Sequence, residues 1–184
     1  MIIALLGASG SGKSTLESIL SDKYDLEKIV SYTTREKRDY EVNNKDYVFT
    51  SYETFNDMIN EDLFAEYDEY SKQRLYGTLK TDYISGDKIV VLTPNGLRQL
   101  KKNVPNHEVF SVLIEAGLGT RIKRYIDRCG SGFNYDDKNE IASRVDRDWS
   151  MFLGVNREVD MVVYNEDGCD LEEIAKEIIK NATR

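Results

Sequence analysis

The sequence predicts an α/β fold in which a five-stranded parallel sheet carries helices on both faces. Short apolar runs recur along the chain, and amphipathic segments separate most of them, which is the alternation typical of parallel sheets. A glycine-rich loop follows the first run and leads directly into a helical segment. The chain has 184 residues, of which 40% are hydrophobic, so one core is expected rather than two independent domains.

Each apolar run has the length of a buried strand. The runs are Ile2–Leu6, Ile29–Ser31, Ile89–Leu92, Val109–Ile114 and Met161–Tyr164, and Ile29–Ser31 is the weakest of them. The clearest helix follows the last run. Asp170 is suited to cap its N-terminus, and Leu171, Ile174, Ala175 and Ile178 form one apolar stripe that is expected to pack on the sheet.

The loop after the first strand fits the phosphate-binding pattern G-x-x-x-x-G-K-[ST] at every fixed position. Its glycines let backbone N–H groups turn toward an anion, and the next helix adds a positive dipole end. Lys13 is expected to reach the β- and γ-phosphates of a nucleoside triphosphate, and Ser14 a Mg²⁺ ion. The flanking strand and helix favour a three-layer P-loop NTPase fold over an ordinary turn. The expected nucleotide-binding residues are Gly7, Ala8, Ser9, Gly10, Ser11, Gly12, Lys13, Ser14 and Thr15.

Two segments interrupt the alternation of strands and helices. Residues 35–83 are polar and rich in tyrosine, with strand-like pieces on either side of a short helix, which predicts an inserted β-rich flap. Residues 128–139 are rich in glycine and polar side chains, as a mobile lid loop would be. The expected organisation is one domain, with a core at 1–34, 84–124 and 145–184, a flap at 35–83 and a lid at 125–144.

A pair of arginines at the start of the flap indicates a second phosphate site. Arg35 and Arg38 are three residues apart and can converge on one phosphate, because each guanidinium makes bidentate bonds to oxyanions. Tyr47 can add a hydroxyl donor. Taken alone, this segment fits a solvated surface loop equally well.

Several further motifs, taken together, indicate a resemblance to one known protein family. They are S-x-T-T-R-x-x-R-x-x-E at 31–41, D-Y-x-F at 46–49, Glu66-Tyr67, Tyr76-Gly77-Thr78 and V-D-M-V-V-Y-N at 159–165. With the phosphate loop, they cover most of the chain. The sequence resembles the guanylate kinase family, whose members transfer a phosphoryl group from ATP to GMP with Mg²⁺.

This resemblance implies a role for each matching residue. The GMP phosphate is held by Arg35, Arg38, Tyr47 and Tyr76, and the guanine faces Ser31, Glu66 and Thr78, while Glu41 belongs to the same substrate-binding segment. Asn165 lies near the adenine of ATP. The implied catalytic residues are Lys13, Arg38, Arg124, Arg128 and Arg144, whose charges stabilise the transferring phosphoryl group. The register around Glu66 is open by two residues, so it could instead be one of several exposed acids.

Two positions depart from the family pattern. Val91 and Thr93 stand where guanylate kinases resemble one another in carrying D-x-D, so part of the magnesium and guanosine contacts is in question. Ser14, water and the phosphates can still hold Mg²⁺, because this ion needs few protein ligands. The departure keeps two alternatives open: a kinase for another phosphorylated acceptor such as a ribose bisphosphate, or a non-catalytic binding module. Such modules typically lack the phosphate loop that this chain retains.

Charge and composition set the expected surroundings of the protein. The chain carries 33 acidic and 25 basic residues, a net charge of −8, which disfavours nucleic acid as a partner. No stretch approaches the roughly 20 apolar residues that span a bilayer. Cys129 and Cys169 form no metal or redox motif. We expect a cytoplasmic monomer or weak homodimer, with GMP or dGMP as its small-molecule substrate, no nucleic-acid partner and no membrane association.

Overall fold

The structure, a computed structural model, describes residues 1–39, 41–71 and 73–183. Its strands are β1 (Ile2–Leu6), β2 (Glu27–Lys28), β3 (Tyr32–Thr33), β4 (Val48–Phe49), β5 (Phe64–Ser71), β6 (Arg74–Leu79), β7 (Lys88–Val91), β8 (Val109–Glu115) and β9 (Met161–Tyr164). Its α-helices are α1 (Lys13–Tyr24), α2 (Tyr52–Asn60), α3 (Pro94–Asn103), α4 (Leu118–Cys129), α5 (Tyr135–Phe152) and α6 (Leu171–Ala182). Short 3₁₀ turns occupy Lys80–Tyr83, Gly130–Gly132 and Val155–Arg157.

The main sheet has five strands in the order β2-β7-β1-β8-β9, and every pairing is parallel. The predicted fold class is therefore confirmed. One strand is displaced from its prediction: β2 pairs with β7 through Glu27 and Lys28, before the weak apolar run at 29–31. Ile29 adds one backbone bond, from its N–H to the carbonyl of Ile89 at 2.9 Å. Backbone pairing with β7, rather than the apolar run, sets the limits of this strand.

The central strand β1 divides the core into two layers, because its side chains alternate between the two faces. Ile2, Ala4 and Leu6 pack with buried residues of β7 and α3. Ile3 and Leu5 face α1 and α6, and all five side chains are fully buried. The predicted stripe on α6 packs in this second layer, where Asp170 caps the helix by accepting from the N–H groups of Glu172 and Glu173.

A second, four-stranded sheet has the order β4-β3-β6-β5, and three of its strands come from the segment predicted as the flap. It has a small core of its own, in which the rings of Phe55 on α2 and Phe64 on β5 stack 4.4 Å apart. Its strand β3, at Tyr32–Thr33, lies just before residue 35, where the flap was predicted to begin. The division into core, flap and lid stays a prediction, and Tyr40 and Lys72 within the flap lie outside the described residues.

The lid is more helical than the sequence suggested. Helix α4 continues to Cys129, and α5 already begins at Tyr135, so most of the predicted loop at 128–139 belongs to helix ends. Asn134 caps α5 by accepting from the N–H groups of Asp136 and Asp137, and the Asp137 side chain accepts from the N–H of Asn134. The polar residues that resembled a loop are therefore the capping box of a helix.

Candidate active site

A cavity of about 950 Å³ brings the phosphate loop, the flap and the lid helices together. Most residues predicted for the site line it: Gly7, Ser9, Gly10, Gly12, Lys13, Ser14, Thr15, Ser31, Arg35, Arg38, Glu41, Tyr47, Glu66, Tyr76, Arg124, Arg128 and Arg144. Ser11, Thr78 and Asn165 are buried behind the residues that line the cavity, and Ala8 lines a second cavity. The volume is ample for a nucleotide, since ligand pockets usually measure about 300 to 1,000 Å³.

The backbone of the phosphate loop requires glycine at two points. Gly12 has a φ of 98°, and a Cβ atom there would lie 2.1 Å from Asn165 Nδ2. A Cβ atom on Gly7 would lie 2.4 Å from the carbonyl oxygen of Ile114. The loop can approach its neighbours this closely only without side chains at these positions, which leaves its N–H groups available to an anion.

Lys13 lies across the mouth of the loop. Its Nζ donates to the carbonyls of Gly7 at 2.7 Å and Ala8 at 3.0 Å. Burial lowers its pKa to about 8, a shift opposed by the charge of Asp148 and reinforced by the lid arginines, Arg128 foremost. The side chain is thus mainly cationic at neutral pH, and a phosphate that replaced the two carbonyls would strengthen that charge state.

Asn165 supports the phosphate loop from behind. Its Nδ2 donates to the Ser11 carbonyl at 2.8 Å, and its Oδ1 accepts from Arg124 at 3.4 Å. Arg124 also donates to the Gly10 carbonyl at 3.3 Å. The structure thus gives Asn165 a contact with the loop backbone, and its predicted position near an adenine stays a prediction.

Two arginines of the predicted lid reach the same cavity. Arg144 on α5 donates to Ser9 Oγ at 3.1 Å and to Glu140 at 2.9 Å. Arg128, near the end of α4, is exposed, and its Nε donates to the Arg124 carbonyl at 3.4 Å. The lid therefore brings positive charge from two helices toward the loop that would bind phosphates.

Asp148 is a site residue that the sequence analysis missed. Its carboxylate is 2% exposed and accepts from the Ser9 N–H at 2.8 Å, from Arg121 at 3.2 Å and from the Tyr70 hydroxyl at 3.1 Å. It thereby connects the phosphate loop, helix α4 and the flap. Its spacing of four residues from Arg144 on one helix was the available signal, because residues i and i+4 share a face.

On the flap, Glu41 holds the two predicted phosphate-binding arginines. It accepts two bonds from Arg35, at 2.7 and 3.0 Å, and one from the Arg38 N–H at 2.8 Å. Burial alone would raise the pKa of Glu41, but these bonds and charges lower it. The Arg35 guanidinium also lies 5.3 Å from the Tyr47 ring and 5.6 Å from the Phe49 ring. Glu41 thus orients the arginines, a role that the motif alone did not indicate.

Tyr47 faces the cavity beside Tyr76, with ring centroids 5.8 Å apart. Burial raises the pKa of Tyr47 to about 12. Its hydroxyl therefore keeps its proton at physiological pH and can donate to a phosphate.

Glu66 is buried, so the alternative that it is one of several exposed acids is wrong. It pairs with Thr78 across β5 and β6, and Thr78 Oγ1 donates to Glu66 Oε1 at 2.8 Å. Burial raises the pKa of Glu66 to about 8, while the Thr78 bond opposes this shift and the charge of Asp68 adds to it. The ligand-free pocket therefore favours the protonated acid. A ligand with two N–H donors would favour the carboxylate.

Ser14 is the residue predicted to bind the metal, and it is exposed at the start of α1. Within residues 1–39, 41–71 and 73–183, no three His, Cys, Asp or Glu side chains are grouped to hold a metal ion. A hydroxyl next to a phosphate loop fits Mg²⁺, which commonly completes its shell with water and phosphate oxygens. None of the helices in the described ranges is long and apolar enough to cross a bilayer.

The family model for guanylate kinase matches residues 1–182. The chain is 32% identical to the guanylate kinase of Prochlorococcus marinus, over 90% of this chain and 89% of that one. It is 37% identical to the guanylate kinase of Mycoplasma mobile, over 78% of this chain and 75% of that one.

The fold has a counterpart among solved structures. The crystal structure of guanylate kinase from Anaplasma phagocytophilum matches 98% of this chain and 82% of its own, with a TM-score of 0.73 and 22% identity. At this identity the likeness concerns the fold, and the family assignment follows from the family model and the sequence relatives. The chain therefore belongs to the guanylate kinase family and is a nucleoside monophosphate kinase, a transferase.

Proposed function

We propose that the protein transfers the γ-phosphoryl group of ATP to GMP, and also to dGMP, to give ADP and the corresponding diphosphate. The observation that carries this proposal is the position of Glu66, a buried carboxyl group that faces the same cavity as an intact phosphate loop. Glu66 forms no ion pair with the residues that the structure describes, and a buried acid without a cationic partner is costly. Its presence in a binding pocket is best explained by a ligand that donates to it.

Guanine matches the groups around Glu66. A carboxylate can accept from guanine N1–H and from the exocyclic amine together, whereas a hydroxyl such as that of Thr78 or Ser31 can donate to O6. Adenine has no N1–H and would leave Glu66 without its donors. The 5′-phosphate would lie among Arg35, Arg38, Tyr47 and Tyr76. These contacts concern the base and the phosphate, so the deoxy form is expected to be accepted as well.

Phosphoryl transfer requires charge stabilisation more than proton chemistry. An oxygen of the GMP phosphate attacks the γ-phosphorus of ATP in line, and the bond from that phosphorus to the β-phosphate oxygen breaks. Lys13, Arg38, Arg124, Arg128 and Arg144 would neutralise the charge that spreads over the transferring group. Ser14 would help to hold Mg²⁺, which would supply further positive charge near the phosphates.

The direct test is an assay of ADP release with ATP, Mg²⁺ and each of GMP, dGMP, AMP, CMP and UMP. GMP and dGMP should stimulate turnover far more than the other three. If none of the five monophosphates stimulated turnover, the proposal would be wrong. Calorimetry would then separate the remaining alternatives, since a binding module would bind GMP without catalysis.

Glu66→Gln distinguishes a guanine site from a site for another phosphorylated acceptor. The variant should lose turnover with GMP because the amide cannot accept two donors, while Glu69→Gln, an exposed neighbour on the same strand, should not. Unchanged GMP turnover in Glu66→Gln would favour a different acceptor, such as a ribose bisphosphate.

We further propose that the protein acts in the cytoplasm as a monomer or weak homodimer, on small molecules rather than nucleic acid. Its net charge of −8 and its two free cysteines, Cys129 and Cys169, support this. Sedimentation at micromolar concentration tests the oligomeric state, and a predominant tetramer or larger assembly would contradict it.

A further inference from the structure

The pocket contains a second acid, Asp68, for which the sequence analysis had no role. Asp68 lies two residues after Glu66 on β5, and side chains two apart on a strand share a face. Both line the cavity. Tyr67 and Glu69, the neighbours at odd spacing, are exposed. The strand therefore presents two acids, rather than one, to the space in which the acceptor would bind.

The carboxylate of Asp68 is held rigidly but is not saturated. Its Oδ1 accepts from the Glu69 N–H at 3.0 Å and from Asn95 Nδ2 at 3.1 Å. Its Oδ2 accepts from Thr93 Oγ1 at 2.5 Å. A carboxylate oxygen can accept two hydrogen bonds, so among the described residues Oδ1 has both of its donors and Oδ2 has one, which leaves Oδ2 room for one more.

The two acids meet at the N-terminus of α3. A Cβ atom on Gly96 would lie 2.6 Å from Glu66 Oε2 and 3.3 Å from Thr93 Oγ1, the hydroxyl that holds Asp68. The absence of a side chain at Gly96 thus lets the Glu66 carboxyl group approach the turn of backbone at which Thr93 and Asn95 hold Asp68. The positive end of the α3 dipole makes this a favourable place for negative charge.

Resting on the function proposed above, the geometry points to Asp68 as a second base-binding carboxylate that reads the exocyclic amine of guanine. Glu66 accepts from N1–H and from one amine hydrogen, and Asp68 Oδ2 accepts the other amine hydrogen. Thr93 orients Asp68 and stands at a position where an acid was expected. The carboxylate is thus supplied by β5, and it lies in hydrogen-bond contact with the segment that follows β7.

This assignment makes Asp68 a specificity-determining residue for purines with a 2-amino group. Inosine monophosphate (IMP) is the matched probe, because it keeps N1–H, O6, the ribose and the phosphate of GMP and lacks only that amine. A hydrogen bond to a charged acceptor typically corresponds to a factor of about 10 to 100 in binding. The loss of Asp68 should therefore reduce the preference for GMP over IMP by about tenfold or more.

The test measures kcat/KM for GMP, dGMP and IMP in the wild type, in Asp68→Ala and Asp68→Asn, and in the control Glu69→Gln. In Asp68→Ala, kcat/KM should fall about tenfold or more with GMP and dGMP, mainly because KM rises. With IMP it should change by no more than about twofold. Asp68→Asn keeps the size of the side chain, and its thermal midpoint reports on folding. Equal losses with GMP and IMP would overturn the assignment, and a loss with GMP that dGMP does not share would indicate a ribose contact instead.

A rescue variant tests the position of the charge. Asp68→Ala combined with Thr93→Asp places a carboxylate at the neighbouring position, whose hydroxyl contacts Asp68 in the wild type. Aspartate can replace threonine as the N-cap of α3, where Thr93 Oγ1 accepts from the Gly96 N–H at 3.0 Å. The double variant should recover most of the preference for GMP over IMP. A recovery no greater than that of Thr93→Asn in the same background would count against the assignment.

Binding measurements separate this inference from the function on which it rests. If the wild type turned over no monophosphate, the proposed function would be wrong. Calorimetric titration of GMP and IMP into the wild type and Asp68→Ala would still report whether Asp68 reads the amine. Wild-type protein that bound the two nucleotides equally would overturn the inference whatever the turnover.

Discussion

The two halves of the cavity are built in different ways. The phosphate loop is eight consecutive residues, Gly7–Ser14, and it offers backbone N–H groups shaped by glycines and one lysine. The flap instead assembles Arg35, Glu41, Glu66 and Thr78 from separate strands and turns, and two of these side chains are buried carboxyl groups.

This difference has consequences for stability. A backbone anion site costs little to keep without its ligand, because its N–H groups belong to a loop and a helix end. Buried acids are costly without their ligands, and the raised pKa of Glu66, in contrast to the lowered pKa of Glu41 beside its arginines, marks where a donor is missing. We therefore expect substitutions in the loop to alter catalysis and substitutions in the flap to alter selectivity and stability.

The largest expected effect is on the loop side. Lys13→Met should lower kcat by about 100-fold or more, because it removes a charge that stabilises the transferring phosphoryl group. The KM for GMP should change little, since the proposed acceptor site lies in the other half of the cavity. Steady-state kinetics with both substrates measure this, with the exposed Lys102→Met as control. Near-normal turnover in Lys13→Met would contradict the role given to this lysine.

On the flap side, Glu41→Gln should raise the KM for GMP by about tenfold and leave the KM for ATP within about twofold. The variant removes the negative charge that orients Arg35, and bonds between charged groups are the stronger ones. Glu36→Gln, an exposed neighbour of Arg35, is the control. An equal rise in both KM values would mean that the two halves are not independent.

Asp148 tests the connection between the halves. Lys13 acts as a cation, so kcat/KM for ATP should fall as pH rises through its pKa of about 8. The charge of Asp148 raises that pKa. Asp148→Asn should therefore shift the alkaline limb of the profile to lower pH, whereas the exposed Asp146→Asn on the same helix should not. If the alkaline limb did not move in Asp148→Asn, a group other than Lys13 would be responsible for it.

The smallest effect is a pH-dependent difference in stability. Between about pH 4.5 and 8, folded Glu66 keeps its proton and the unfolded chain does not, so this residue destabilises the folded state as pH rises through that window. Glu66→Gln should match the wild-type Tm near pH 5 and exceed it by a few degrees at pH 8. The neighbouring groups are Asp68 on β5, Thr78 on β6 and Tyr83 in the following turn. Saturating GMP should stabilise the wild type alone. A difference in Tm between the two proteins that did not grow with pH would contradict the raised pKa of Glu66.

Local residues were sufficient to predict the loop half. The pattern at Gly7–Ser14 indicates its own geometry, because glycine tolerance and a helix start are properties of neighbouring residues. The capping of α6 by Asp170 was predictable for the same reason. The helical lid was not, because the capping box at Asn134 and a polar loop have the same composition.

The sequence by itself determined the fold class, the phosphate loop and the family resemblance, since these depend on periodicity and on residues adjacent in the chain. Only the tertiary structure decided that Glu66 is buried, that Asp148 joins the three parts of the site, and that Asp68 meets Thr93 at the end of α3. The physical reason is that the protonation and selectivity of an acid depend on the neighbours that fold around it, and these neighbours come from distant parts of the chain.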